Sequence, residues 1–206
     1  MKNTLLILFL LAAAAASLSA GPLSGRRVPS FALPDANATY HDILDYRGKV
    51  VLLEVMQTTC AHCQSMVPQL EKVQEKYGDR VSILTIVVPP DTIDKVKDFT
   101  IRFRIRYPIL FDCGQASAVL MKATPEHPQV AFPHFFLIDR KGMIREDFSW
   151  ETDEAALTGN GLFDGLDKLL AATPAPAKAP TKAPAKAPAK APAKAAAAPP
   201  AEPTGK

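Results

Sequence analysis

The sequence predicts an α/β domain in which a central mixed β-sheet is flanked by helices on both faces. Two apolar, β-branched segments, residues 49–56 and 81–88, have the composition of strands buried on both faces. Between them, apolar residues recur at helical spacing and stop at Gly78, a suitable helix C-terminal cap. Residues 135–148 read as two strands around a short Arg-Lys-Gly turn. Strands that alternate with helices and end in a hairpin imply a mixed sheet with helices on both faces.

The predicted elements follow one another in a regular order. The strand at 49–56 leads directly into Cys60, and the helix after it has one apolar face, formed by Met66, Val67, Leu70, Val73 and Tyr77. The later elements are a strand at 81–88, a helix at 92–105, a short strand at 109–111, a hairpin of 135–139 with 143–148, and a final helix at about 162–171. Cys60 and Cys63 are therefore predicted to open a helix at the end of a buried strand.

The chain has the length of one compact domain with two terminal extensions. Its 206 residues compare with about 100 to 200 residues per domain. A hydrophobic share of 48% and a charged share of 22% exclude a wholly disordered chain and a polytopic membrane protein. The whole chain has a formal charge of +3, whereas residues 21–170 carry a net −3. We therefore expect a mildly acidic domain at 21–170 and a basic tail.

Residues 1–20 have the pattern of a secretory signal peptide. Lys2 precedes an almost wholly apolar stretch, and Ser19 and Ala20 provide small residues for cleavage. The stretch is short for a membrane span, and an uncleaved N-terminal anchor is the alternative interpretation. Export predicts a periplasmic or secreted protein, in a compartment where disulfides form and persist.

Residues 171–206 consist almost entirely of Ala, Pro and Lys, with Lys at every fourth position from Lys178 to Lys194. Regular prolines forbid a continuous helix and no large apolar residue is present to bury, so the tail is predicted to be disordered. It is either a solvated spacer or an electrostatic contact to an anionic polymer or membrane surface. No specific nucleic-acid partner is expected.

The sequence Cys60-Ala61-His62-Cys63 carries the chemistry. Two cysteines in the first turn of a helix lie close enough to bond, and the unpaired backbone N–H groups there favour a thiolate on the first. Cys60 is thus predicted to be the exposed nucleophile and Cys63 the more buried resolving thiol. A protonated His62 would stabilise the thiolate but not the disulfide, which would make the pair oxidising.

Other uses of the Cys pair fit the sequence less well. A structural disulfide closing a two-residue loop gives little chain-entropy stabilisation. Haem attachment needs His directly after the second Cys, where Gln64 stands, and zinc needs a second pair of ligands. Copper capture by the two thiols and a His is an alternative, since soft thiolates select Cu(I). The oxidoreductase hypothesis requires no cofactor.

The segments VVLLEVMQTTCAHCQSMVPQLE and FPHFFLIDRKGMI resemble the thioredoxin superfamily. More narrowly, the order RRVPSFALPD, DYRGKVVLLEV and C-x-x-C is similar to exported TlpA/ResA-like thiol-disulfide oxidoreductases and to peroxiredoxin-like redoxins. The resemblance covers about residues 26–170. It implies a thioredoxin-like fold and an enzyme that exchanges dithiols with disulfides.

The resemblance also bears on three further residues. Pro133 matches the position of a cis-proline beside the Cys pair, where an extended client strand can bind. Pro68 matches the kink of the active-site helix. Period-two counting places Glu54 on the strand face behind the Cys pair, and the resemblance implies a raised pKa and proton relay with Cys63. A satisfied or water-exposed carboxylate is the alternative for Glu54.

The chain departs from the family pattern around these residues. Thr58 and Thr59 stand where an aromatic residue commonly precedes the first Cys, and Phe132 and His134 flank the proline where small β-branched residues are common. These differences bear on the choice of client. The dipeptide between the two cysteines resembles the Pro-His of the oxidant DsbA, whereas the wider resemblance favours a reductant.

Two further features bear on the alternatives. The peroxidatic arrangement Pro-x-x-x-Thr-x-x-Cys is absent, because Leu53 and Gln57 occupy its Pro and Thr positions before Cys60. Cys113 is the odd thiol, predicted in a loop or half-buried, with a resolving or intermolecular role as the alternative.

We expect an exported thiol-disulfide oxidoreductase that exchanges disulfides with client proteins through Cys60 and Cys63. A second redox partner, which the sequence does not identify, would restore the pair. Thiol-dependent peroxide reduction and nonenzymatic copper delivery are the alternatives. The candidate site consists of Cys60, Cys63, His62, Glu54 and Pro133.

Overall fold

A five-stranded mixed sheet forms the centre of the computed structural model, which describes residues 21–127 and 130–172. Its strands are β3 (Val50–Met56), β4 (Val81–Val87), β5 (Ile109–Phe111), β6 (His134–Ile138) and β7 (Ile144–Ser149). They lie side by side in the order β5-β4-β3-β6-β7. A separate two-stranded hairpin consists of β1 (Ala32–Pro34) and β2 (Tyr40–Asp42).

Helices cover both faces of this sheet, which confirms the predicted α/β class. They are α1 (Ala61–Tyr77), α2 (Ile93–Phe103), α3 (Gln115–Met121), α4 (Trp150–Thr158) and α5 (Gly161–Ala172). α1 and α5 pack on the face that carries Leu52. α3 packs on the opposite face through Leu120. Short 3₁₀ turns occupy Ile43–Tyr46 and Gly78–Arg80.

β3 occupies the middle position of the sheet. It runs parallel to β4 and antiparallel to β6, and all seven of its residues are buried. The continuous apolar run of its sequence fits this position, because neither face of the strand meets water. Glu54 is the one charged residue within this run. The strand ends four residues before Cys60, so the central strand carries the chain to the Cys pair.

Several elements differ from the sequence predictions. The sequence did not predict four of the elements, β1, β2, α3 and α4. The two strands have three residues each, α3 has seven residues, and α4 is kinked at Asp153. The helix predicted at 92–105 ends earlier, at Phe103, because Arg104 adopts left-handed backbone angles and caps it. The last helix continues to Ala172, two residues beyond the predicted end of the domain.

The two predicted terminal extensions fall outside the described part of the chain. The signal-peptide prediction concerns residues 1–20, and the tail prediction concerns residues 171–206, of which only 171 and 172 are described. Within the described residues, the helices are too short or too polar to cross a bilayer.

Gly165 packs α5 closely against the sheet. A Cβ atom at this position would overlap Leu137 Cδ1 and lie 2.6 Å from Glu146 Oε2. We expect Gly165→Ala to lower the free energy of unfolding by about 1 to 3 kcal/mol through this overlap. An unobstructed helical glycine would instead gain about 0.5 to 1 kcal/mol from the same change. Urea unfolding of the variant tests the expectation, and an unchanged or raised midpoint would contradict it.

Candidate active site

The Cys pair opens α1 at the C-terminal end of the central strand. Cys60 is the N-cap residue, and the backbone N–H of Cys63 donates to Cys60 Sγ over 3.2 Å. Both are free thiols; Cys60 is partly exposed, whereas Cys63 is 0% exposed. The N–H donor and the positive end of the helix dipole both stabilise negative charge on Cys60 Sγ. The sulfur that solvent reaches is therefore also the one that contacts the N-terminus of α1.

Glu54 is buried on β3, on the sheet face that α1 covers. Its side chain is 1% exposed, and Oε2 accepts a hydrogen bond of 2.9 Å from Thr85 Oγ1. Oε1 has no hydrogen-bonding partner among the described residues. Burial raises the pKa of Glu54 to about 8, and the Thr85 hydrogen bond offsets part of that rise. The carboxyl group therefore holds a proton over most of the neutral pH range.

Cys63 and Glu54 interact electrostatically inside the protein. Burial is the main cause that raises the pKa of Cys63, and the nearby charge of Glu54 raises it further. The same carboxylate also contributes to the raised pKa of Tyr107, after burial. Two negative charges in this apolar space would repel each other. Loss of a proton from one group therefore favours protonation of the other. This arrangement agrees with the burial predicted for Glu54 behind the Cys pair.

The Pro133 segment faces the exposed cysteine. The peptide bond between Phe132 and Pro133 is cis, the conformation that the resemblance implied. Cys60 Sγ lies 3.8 Å from the carbonyl oxygen of Phe132 and donates to it as a thiol. Pro68 lies inside α1. Pro133, which is far from the other three residues in sequence, thus comes together with Cys60, Cys63 and Glu54 at the C-terminal end of β3.

His62 points away from the core and has an aromatic partner that the sequence did not indicate. Its imidazole stacks on the indole of Trp150, with ring centroids 4.4 Å apart and an angle of 20° between the planes. His62 is exposed and Trp150 is half-buried. The only available signal for Trp150 was its rarity, since it is the single tryptophan of the chain.

His134, the residue after the proline, is buried. It is 4% exposed, and its Nε2 lies 3.3 Å from Asp147 Oδ2. Its ring also packs on Phe136, with centroids 4.6 Å apart. Asp147 Oδ1 accepts a hydrogen bond from the backbone N–H of Leu23. The side chain of His134 is therefore enclosed between β6, β7 and the N-terminal segment, rather than presented to a client.

The loop before Cys60 is held by side-chain hydrogen bonds that the sequence did not predict. Asp91 accepts two hydrogen bonds of 2.6 Å from Thr58, one from its backbone N–H and one from its hydroxyl. The amide of Gln64, on α1, donates to the Thr58 carbonyl over 2.8 Å. The side-chain amide of Gln57 donates to the carbonyl of Pro89 over 2.7 Å. These contacts fix the backbone that presents Cys60.

Replacement of Asp91 should loosen this loop. Asp91→Ala removes two charge-assisted hydrogen bonds to Thr58, so we expect the free energy of unfolding to fall by about 1 to 3 kcal/mol. The exposed Asp98 on α2 offers a matched control, because Asp98→Ala removes the same charge from the surface. Thermal or urea unfolding of both variants is the measurement. Equal stabilities of the two variants would show that the Asp91 contacts do not anchor the loop.

Cys113 is exposed in the link between β5 and α3. The loop placement predicted for it agrees with the structure. Across residues 21–127 and 130–172, no group of three or more His, Cys, Asp and Glu side chains is arranged to hold a metal ion.

Comparison with known proteins adds a family match. A family model described as AhpC/TSA family matches residues 24–147 of the chain. The matched segment contains the Cys pair, Glu54 and Pro133. It ends within β7.

Individual relatives are less than 30% identical to this chain in sequence. Thiol-disulfide oxidoreductase ResA of Geobacillus thermodenitrificans (strain NG80-2) is 28% identical over 154 residues, which cover 70% of this chain and 83% of that protein. Thioredoxin-like protein YneN of Bacillus subtilis (strain 168) is 25% identical over 128 residues, covering 61% and 71%. The thioredoxin domain of a thiol-disulfide oxidoreductase from Bacteroides vulgatus superposes with a TM-score of 0.56 at 19% identity, covering 70% of this chain and 96% of that one. That last likeness concerns the fold.

Proposed function

This chain belongs to the AhpC/TSA family and is a thioredoxin-like thiol-disulfide oxidoreductase, and from that premise we propose that Cys60 and Cys63 are its redox pair. The observation that carries the proposal is the hydrogen bond of 3.2 Å from the Cys63 N–H to Cys60 Sγ. It brings an exposed sulfur and a buried thiol into the first turn of one helix. Disulfide exchange through a mixed disulfide needs such a pair.

The exchange proceeds in two displacements. In the reducing direction, the Cys60 thiolate attacks one sulfur of a client disulfide, the client S–S bond breaks, and a client thiolate leaves. Cys63 then loses its proton and attacks Cys60 Sγ, so that the Cys60–Cys63 disulfide forms and the second client thiolate departs. Two electrons pass to the client in total. In the oxidising direction each step runs in reverse.

We propose that Glu54 accepts the proton of Cys63 in those molecules in which its carboxyl group is ionised, and returns that proton in the reverse step. Its pKa of about 8 lies near neutral pH, where a group can both take up and release a proton. The charge of Glu54 raises the pKa of Cys63, so ionisation of the two groups is linked. Thr85 supports this role by donating to Oε2 and holding the carboxyl group in place.

The reduction potential of the pair tests the proposal and assigns its direction. The protein is equilibrated with defined ratios of reduced and oxidised glutathione, and its free thiols are counted by mass after alkylation. A potential of about −120 mV would assign an oxidant, and a potential of about −270 mV would assign a reductant. A protein whose Cys60 and Cys63 show no reversible two-electron equilibrium would refute the proposed function.

Peroxide reduction is the alternative that the resemblance to peroxiredoxin-like redoxins suggests. Gln57 stands at the Thr position of the peroxidatic pattern, and its side chain is engaged with the carbonyl of Pro89. The buried Leu53 stands at the Pro position. Hydrogen peroxide offered to the reduced protein provides the comparison. Turnover of peroxide faster than turnover of disulfides would favour the alternative.

Export and partner binding complete the proposal. Residues 1–20 act as a cleaved signal peptide, and the mature protein works in the periplasm or outside the cell on clients with thiols or disulfides. Mass spectrometry of the protein recovered from outside the cytoplasm tests the cleavage, because the cleaved chain lacks the mass of residues 1–20. The basic tail adds contact with an anionic surface, which predicts salt-dependent binding to vesicles containing anionic lipids that is lost when residues 174–206 are deleted.

A further inference from the structure

Trp150 connects the two sides of the redox site. Its indole stacks on His62, which belongs to the helix of the Cys pair, with ring centroids 4.4 Å apart. Its backbone N–H donates to the carbonyl oxygen of Pro133 over 3.2 Å. A single residue outside the C-x-x-C sequence thus contacts both the redox helix and the proline segment opposite it.

The backbone of Trp150 is held by the start of α4. Ser149 caps this helix, and its hydroxyl accepts a hydrogen bond from the Glu151 N–H over 3.3 Å. In return, Asp153 Oδ2 accepts a hydrogen bond from the Ser149 N–H over 3.0 Å. Reciprocal capping fixes the direction in which a helix begins. The indole therefore meets His62 from a fixed position.

We propose that Trp150 is a positioning residue for His62, holding the imidazole against the indole face on the first turn of the helix that carries the Cys pair. A cation within about 6 Å of an indole centroid is attracted to the electron-rich face of the ring, and 4.4 Å lies inside this limit. The inference rests on the proposed function, because it assigns Trp150 a part in the redox equilibrium of Cys60 and Cys63.

The direction of the effect follows from the charges in each redox state. An imidazolium two residues after Cys60 stabilises the thiolate, which exists only when the pair is reduced. Trp150 thus favours the reduced enzyme. Removing the indole weakens this stabilisation, so the pair becomes easier to oxidise and its potential falls.

The equilibrium with glutathione measures this contribution. We expect Trp150→Ala to shift the thiol-disulfide equilibrium constant about two- to fivefold toward the oxidised enzyme, and Trp150→Phe to shift it less, because a phenyl ring keeps a weaker cation–π contact. In a His62→Ala background, Trp150→Ala should cause no further shift, since the two residues act as one unit. Phe163→Ala is the matched control. Phe163 packs on Tyr77 at the far end of α1, so its loss removes an aromatic contact of the same helix without touching the site.

Fluorescence of the single tryptophan tests the stack itself. A protonated imidazole in contact with an indole quenches its emission, so His62→Ala should increase the emission of the folded protein. Unchanged emission would overturn the stacked geometry. Equal equilibrium shifts with and without His62, or none in a folded Trp150 variant, would overturn the positioning role. If Trp150→Ala does not fold, Trp150→Phe carries the same test. If the wild-type protein shows no equilibrium with glutathione, the proposed function fails, and the redox part of this inference fails with it.

Discussion

Cys63→Ser is expected to accumulate a mixed disulfide between Cys60 and a client, whereas Cys60→Ser should lose all disulfide exchange. The partly exposed Cys60 can still be captured by a client disulfide when the buried thiol is missing. Resolution then depends on an external thiol, because no second sulfur remains in the first turn of α1. Cys60→Ser removes the attacking atom, and the enclosed Cys63 cannot replace it.

Non-reducing electrophoresis after reaction with a disulfide-containing protein measures both results. A species with the mass of enzyme plus client should appear with Cys63→Ser and disappear on addition of a reductant. Cys113→Ser is the matched control, since it removes an exposed thiol in the link between β5 and α3, outside the Cys60–Cys63 pair, and should leave exchange unchanged. Retention of full exchange by Cys60→Ser would overturn the assignment of the nucleophile.

Glu54→Gln should slow exchange near neutral pH by about ten- to a hundredfold, because an amide cannot take the proton of Cys63. The loss should be largest in the step in which Cys63 attacks Cys60. Single-turnover kinetics of mixed-disulfide resolution isolate that step. Glu75→Gln, an exposed position on α1, provides the control for loss of a carboxylate. An unaltered resolution rate would refute the relay.

The same substitution should change how stability depends on pH. The pKa of Glu54 is about 8 in the folded protein against a reference of 4.5, so between these values the unfolded chain is ionised while the folded protein keeps the proton. The wild-type protein therefore loses stability as pH rises from about 4.5 to about 8, by a few kcal/mol at about 1.4 kcal/mol per pKa unit. Gln has no proton to lose. Urea unfolding at pH 5, 7 and 9 should show a weaker decline for Glu54→Gln, and equal declines would contradict the burial of a proton on Glu54.

Elements with a strong periodic or continuous apolar pattern could be predicted from the sequence. β3 is such a case, because seven consecutive buried residues leave only Glu54 to explain. α1 is another, with an apolar face that ends at Gly78. The short strands β1 and β2 could not be predicted, since their pairing depends on three residues each and on contacts with the rest of the domain.

Part of the candidate site could be predicted from the sequence, and part could not. Cys60, His62 and Cys63 form one local motif, and Glu54 lies on the strand just before it, so sequence spacing located all four. Trp150 lies 88 residues after His62 and joins it only because β7 ends beside the proline segment. The environment of His134 was also beyond the sequence, because its partner Asp147 belongs to the neighbouring strand.

The central position of β3 predicts which strands exchange their amide protons most slowly. This strand is hydrogen-bonded on both sides along its length, whereas β5 and β7 each have one neighbour in the sheet. Amide protons of β3 should exchange with deuterium only through global unfolding, while those of the two outer strands exchange through smaller local fluctuations. Cys60 and Cys63 follow β3, the strand expected to exchange most slowly. We therefore expect the pair to keep its geometry while the outer strands β5 and β7 fluctuate locally.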